Sequence, residues 1–165
     1  MSRKSSQQEF KEELSLYEAA ANLIEECRML LPGIQALFGF QLIAVFNTVF
    51  DEKLTSLEQR LHLLAIGFIG ITIVLITTPA AYHRQTRPQA ITQRFIKIST
   101  RLMLFSMAPL AISICLELYL ISRLILNNVP LSLLITFGLL ALFILLWFVL
   151  PHAEALKQAL GGKPE

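Results

Sequence analysis

Residues 61–82 read LHLLAIGFIGITIVLITTPAAY, a stretch that contains no Asp, Glu, Lys or Arg. At 1.5 Å of rise per residue, roughly 20 such residues in α-helix cross the ~30 Å of hydrocarbon in a bilayer. Working outward, residues 30–50, 102–126 and 131–150 repeat the pattern, and the only charges inside any of the four are Glu117 and Arg123. The chain has 165 residues, 55% of them hydrophobic and 16% charged, with a mean hydropathy of +0.61. Those proportions do not fit a soluble domain. We therefore expect an all-α integral membrane four-helix protein, with the lipid bilayer as its first partner.

Glu117 does not prevent its segment from inserting. A mid-span acid costs about 2.5–3.5 kcal/mol on insertion scales, and the surrounding Leu, Ile, Met and Phe residues together return more than that. Orientation follows from the basic residues, which are retained on the cytoplasmic side. With four spans, Arg3, Lys4, Lys11, Arg28, Arg84, Arg87, Arg94, Lys97, Arg101, Lys157 and Lys163 share one face, and the other holds Lys53, Arg60 and Arg123. This bias predicts both termini in the cytoplasm and a multi-pass protein of the inner (plasma) membrane. The acidic residues before the first span rule out a basic signal-peptide n-region, so that span is expected to remain as an anchor. The formal net charge of +2, with no basic-aromatic groove, gives no reason to expect a nucleic-acid partner.

Between the spans the chain divides into a disordered tail over 1–8, a cytoplasmic amphipathic helix over 9–29, a basic cytoplasmic helix over 86–101 and a cytoplasmic tail over 151–165. In the first helix Phe10, Leu14, Tyr17, Ala21 and Ile24 recur at helical spacing. In the second, Ile91, Phe95, Ile98 and Leu102 oppose Arg94, Lys97 and Arg101. Pro32 and Gly33 mark a change of direction between the first helix and the first span. Thr55, followed three residues on by Glu58, has capping-box spacing and should start the second span's helix. Asn127-Asn128-Val129-Pro130 reads as a tight turn. Gly39, Gly67 and Gly70 permit close helix approach, but with no strict Gly-x-x-x-Gly they read as ordinary packing residues at helix contacts.

Two segments resemble a known family. RMLLPGIQALFGF at residues 28–40 and TPAAYHR at residues 78–84 are similar to the first and second spans of the bacterial DUF6328 proteins, a group of small four-span membrane proteins. The second half of the chain shares only the hydropathy of that group. The resemblance implies the four-span topology, and because some members carry a sodium:proton antiporter label, it also points toward cation or proton transport.

The sharpest chemical feature is Glu117, because an ionisable side chain within a span faces a bundle interior or a watery cavity. Gln41 falls at similar depth on the first span, with Asn47 further along and Gln35 nearer its start. One reading makes Glu117 an ion- or proton-binding group, with Gln41, Gln35 and Asn47 as polar lining. The other makes it interhelical glue hydrogen-bonded to Gln41. Arg123 lies six residues from Glu117, off its helical face, and is expected to snorkel to the outer interface.

At the inner interface His83, Arg84, Arg87, Arg94 and Arg101 form an interface or lipid-binding set for anionic lipid, or Arg84 pairs with Glu25 or Glu26 and holds the N-terminal helix. Cys27 and Cys115 differ in depth and give neither a disulfide framework nor metal-ligand spacing. No phosphate loop, nucleophile elbow or paired-His motif is present, so neither an enzyme nor a cofactor is implied. Function therefore reads first as a small oligomeric ion channel or cation/proton transporter, a homo-oligomer because four thin spans enclose little room. The alternative is a non-transporting membrane scaffold or regulatory subunit that binds a cytoplasmic or membrane partner.

Overall fold

A computed structural model of the chain describes residues 2–85 and 92–152. Among these, all regular structure is helical: α1 (Ser2–Ala44), α2 (Thr48–Lys53), α3 (Ser56–Gln85), α4 (Gln93–Leu126) and α5 (Val129–Ile144), the last continued by a π-helical turn over Leu145–Val149. Four segments are long and apolar enough to cross a membrane: Leu14–Ala44, Ser56–Arg84, Gln93–Leu126 and Val129–His152. That number of spans, with an all-α fold, defines a multi-pass membrane protein.

The first helix departs from expectation in two ways. It runs unbroken from Ser2 to Ala44 through Pro32, so the disordered tail, the separate amphipathic helix and the turn at Pro32-Gly33 merge into a single element, and the helix stops short of Phe50. Its inward stripe is also not the expected one, since Leu14 and Tyr17 are exposed. Instead Leu16, Ala20, Leu23, Cys27, Leu31, Ile34, Phe38 and Gln41 are buried or half-buried. They recur every three or four residues on both sides of Pro32. Continuous packing along one face offsets the backbone bond that proline removes.

Helices α3 and α4 bury the same kind of stripe. On α3, Glu58, His62, Ala65, Ile69, Thr72, Ile76 and Pro79 are buried at alternating spacings of four and three, the seam of a left-handed helix pairing. On α4, Phe95, Ser99, Ser106, Ser113 and Leu120 are buried. The three serines, seven apart, replace the aliphatic side chains that a soluble seam would carry. Ile98, on the apolar line opposite Arg94, Lys97 and Arg101, is exposed. The expected basic helix over 86–101 is continuous with its span from Gln93 onward, and residues 86–91 lie outside the described residues, as does the tail from 153.

By contacts the chain forms two units. One comprises α1 and the turn to Asn47 together with Ile66–Leu110, and the other comprises Thr48–Ala65 together with the chain from Ala111 on. In the first, Ile34, Ile69 and Ile76 form a buried cluster flanked by Leu31, Leu37, Phe38, Ile73 and Leu110. Tyr82 stacks on Phe95 with ring centroids 5.9 Å apart. In the second, Asn127 takes a left-handed backbone (φ 49°) after its N–H closes α4 on the Arg123 carbonyl at 3.0 Å. Asn128 then caps α5, its side chain accepting from the Leu131 N–H at 3.2 Å. Asparagine tolerates the first geometry and provides the second, which is the tight turn the sequence indicates.

The close approach within the second unit comes from serine and alanine. Ser113 Oγ donates to the Ala65 carbonyl at 2.8 Å, and both residues are fully buried. A Cβ added at Gly39, Gly67 or Gly70 would meet nothing within 4 Å, so the glycines expected at helix contacts are not needed for packing inside the chain. Two outcomes follow for unfolding in mixed micelles followed by circular dichroism. Ser113→Leu, which overfills the seam, should cost about 1–3 kcal/mol. Gly67→Ala should be neutral or slightly stabilising, by up to about 1 kcal/mol, from helix propensity.

Candidate functional site

Helix α3 begins with the capping box. The Thr55 N–H donates to Glu58 Oε2 at 2.9 Å and the Thr55 hydroxyl to the same oxygen at 2.8 Å, while the Glu58 N–H returns to Thr55 Oγ1 at 3.4 Å. Glu58 is thereby fixed in the first turn, where its charge also opposes the helix dipole favourably. Its second oxygen, Oε1, lies 3.5 Å from Arg123 Nε. Arg123, expected at the outer interface, pairs with this carboxylate.

One turn further along α3, His62 Nδ1 stands 2.8 Å from Glu117 Oε1. Another turn on is the Ser113–Ala65 hydrogen bond. Positions 58, 62 and 65 rise along α3 while their partners 123, 117 and 113 fall along α4, so the three contacts are rungs of one antiparallel ladder. From α2, Phe50 presents its ring edge-on to His62, centroids 5.2 Å apart at 64°. The His62 side chain is 4% exposed and that of Glu117 17%, so the pair is approached from the Glu117 side.

His62 Nδ1 and Glu117 Oε1 make an ion-pair contact at 2.8 Å whose angles fall outside hydrogen-bond geometry. A small side-chain rotation would let one proton lie between them, carried either by imidazole or by the carboxyl group. Both forms hold one proton and have zero net charge. A second proton, or a cation in its place, makes the pair positive, and loss of the shared proton makes it negative. Each change leaves net charge in a poorly hydrated place unless something compensates. The charged neighbours on the same ladder are Glu58 and Arg123, already paired to each other. Among the described residues no three His, Cys, Asp or Glu side chains converge as a metal set.

The other residues singled out in the sequence have different surroundings within their own units. Gln41 is buried in the first unit, whereas Gln35 and Asn47 are exposed. At the far end of α3, His83 lies against Phe95, ring centroids 5.6 Å apart, and Arg84, Arg94 and Arg101 are exposed. Arg87 lies outside the described residues. Glu25, a candidate partner for Arg84, pairs within its own helix to Arg28 at 3.7 Å.

Sequence reading missed His62, the partner of Glu117. Rise alone puts His62 about 9 Å from the start of α3 and Glu117 about 13 Å from the end of α4. A long glutamate side chain covers that difference between antiparallel helices, so counting inward from both helix ends would have brought the two together.

A membrane protein with several spans and a polar His62–Glu117 contact between two of its helices is the class this fold and site define. The chain belongs to the DUF6328 family, described as a family of unknown function, whose model matches residues 15–151. That match takes in both halves of the chain, beyond the two first-half segments that carry the visible resemblance. No curated protein and no solved structure matches the chain.

The His62 and Glu117 side chains touch, so single and double substitutions should not add. In a cycle of His62→Ala and Glu117→Ala, unfolding in mixed micelles should give a coupling of about 1–2 kcal/mol, and zero coupling would mean the two do not interact. Thr55→Ala should cost about 0.5–2 kcal/mol through loss of the cap, read in the same assay.

Proposed function

We propose that the protein is a small proton or cation transporter or channel, in which Glu117, held by His62, takes up and releases the transported ion. The observation that carries this reading is the 2.8 Å contact between the two side chains inside segments apolar enough to span a membrane. An acid and a base that share one proton can pass through states with one more or one fewer, which is the elementary step of proton coupling. The residual exposure of Glu117 supplies a route to the pair. Glu58 and Arg123, one rung away, provide fixed charge that any added ion would feel. No catalytic role is proposed.

We further propose a homo-oligomer in a bacterial inner membrane with both termini cytoplasmic, as the distribution of Lys and Arg indicates. Two features favour several copies. The exposed edge of a carboxyl group at this depth is costly against lipid tails and is relieved by a neighbouring copy or by water. Helix α5 buries only Ser132 within the chain, leaving its apolar surface to lipid or to another protomer. The basic residues Arg84, Arg87, Arg94 and Arg101 suit the anionic headgroups of the inner leaflet.

Purified protein in liposomes tests the transport reading. Under imposed gradients of proton, sodium or potassium, the wild type should dissipate at least one, and Glu117→Gln should fall to the level of protein-free liposomes. His62→Gln should also lower the flux. If the wild type dissipates none of these gradients at any pH between about 5 and 8, the transport reading fails and the scaffold reading takes its place.

A further inference from the structure

Within the first unit, α1 and α3 enclose a cleft of about 350 Å³, inside the range of about 300–1,000 Å³ typical of small-molecule sites. Its walls are apolar, built from Ile24 and Leu31 on one helix and Ile76 and Ala80 on the other. Thr77 also borders it, but its hydroxyl donates to the carbonyls of Ile73 and Val74 at 2.8 and 3.2 Å, so the wall offers no spare hydroxyl donor. An unfilled apolar recess at this place would forfeit dispersion contacts on both helices.

The rim has different chemistry. Arg28, His83 and Arg84 line it from two helices. Arg84 is the last residue of the candidate span Ser56–Arg84, and a cation at the end of a membrane-spanning helix reaches the headgroup level. Among the described residues no acid pairs with Arg84. Arg28 has one long contact, 3.7 Å to Glu25, with both side chains mostly exposed. Such a pair is weak and leaves most of the guanidinium donors available.

We propose that this cleft binds one anionic phospholipid, an acyl chain lying on the apolar walls and the phosphate held between Arg28 and Arg84. A bare phosphate would leave the walls empty, and a zwitterionic lipid would bring a cation to a rim that already carries two. Guanidinium groups also match phosphate oxygens in geometry, with paired donors in a fixed fork. This site is separate from the His62–Glu117 pair and stands whether or not that pair transports ions.

Cys27 lines the same cleft and reports its occupancy. In a Cys115→Ser background, Cys27 is the remaining thiol, and its rate of alkylation by N-ethylmaleimide is followed in detergent micelles with added phosphatidylglycerol, phosphatidylcholine or inorganic phosphate. Phosphatidylglycerol should slow alkylation, and the other two should not. With each arginine near a membrane surface contributing roughly fivefold in affinity, R28Q/R84Q should need about 25 times more phosphatidylglycerol for half-protection. R28K/R84K, which keeps both charges but loses the fork, should protect more than R28Q/R84Q and less than the wild type, and controls for folding. Equal rates in the two lipids, equal protection by phosphate alone, or protection unchanged in R28Q/R84Q would each overturn the proposal.

Discussion

Between two helices in hydrocarbon there is no hydrophobic force, because lipid tails are as apolar as leucine. What can hold such helices in one register is close packing and polar contact, and the second unit is organised around the contact between His62 and Glu117. A carboxyl group in that position has to find a partner, and the partner has to sit at the same depth on the facing helix. That requirement sets the register of α3 against α4, and the other two rungs fall where the register puts them. Glu58 reaches Arg123 on one side, and the Ser113 hydroxyl reaches the Ala65 backbone on the other.

The same constraint accounts for the residues around the pair. Helix α3 starts at a strong cap because Glu58 must be fixed before it can meet Arg123, and one carboxylate does both tasks through its two oxygens. Serine and alanine fill the seam because a hydrogen bond from a side chain to a backbone carbonyl needs the two backbones close together. Larger aliphatic residues would keep them apart. Phe50 on the short α2 covers the imidazole edge. These are local choices with one common effect, which is to keep a titratable pair in place within an apolar segment.

Much of this was legible in the sequence, for identifiable reasons. The apolar runs are long enough to declare the spans, and the Thr55–Glu58 cap and the Asn127–Asn128 turn depend on short-range chemistry that a few adjacent residues carry. Glu117 stands out because charge in a span is rare. What could not be read was anything that depends on how one helix is rotated against another. The stripe over Leu14, Tyr17 and Ala21 has helical period, but so does the neighbouring stripe over Leu16, Ala20 and Leu23, and only packing selects the second. Pro32 and Gly33 have the composition of a break, yet burial on both sides carries the helix through. Glycine permits close approach, whereas Ser113 performs that role with a hydrogen bond in addition. His62 was passed over because a single histidine near a helix start carries no motif. Its meaning lies in the residue opposite.

The cleft on the first unit and the ladder on the second are thus unlike in chemistry, one apolar with a cationic rim, the other a row of paired polar groups. The central claim concerns the ladder, namely that the His62 and Glu117 side chains are in direct contact in the membrane. Solid-state NMR on protein in lipid bilayers, with dipolar recoupling between ¹⁵N-labelled His62 Nδ1 and ¹³C-labelled Glu117 Cδ, measures it directly. Side chains in direct contact require a separation of about 4 Å or less. Absence of dephasing, which places the two nuclei more than about 6 Å apart and so beyond any direct hydrogen bond, would contradict the account.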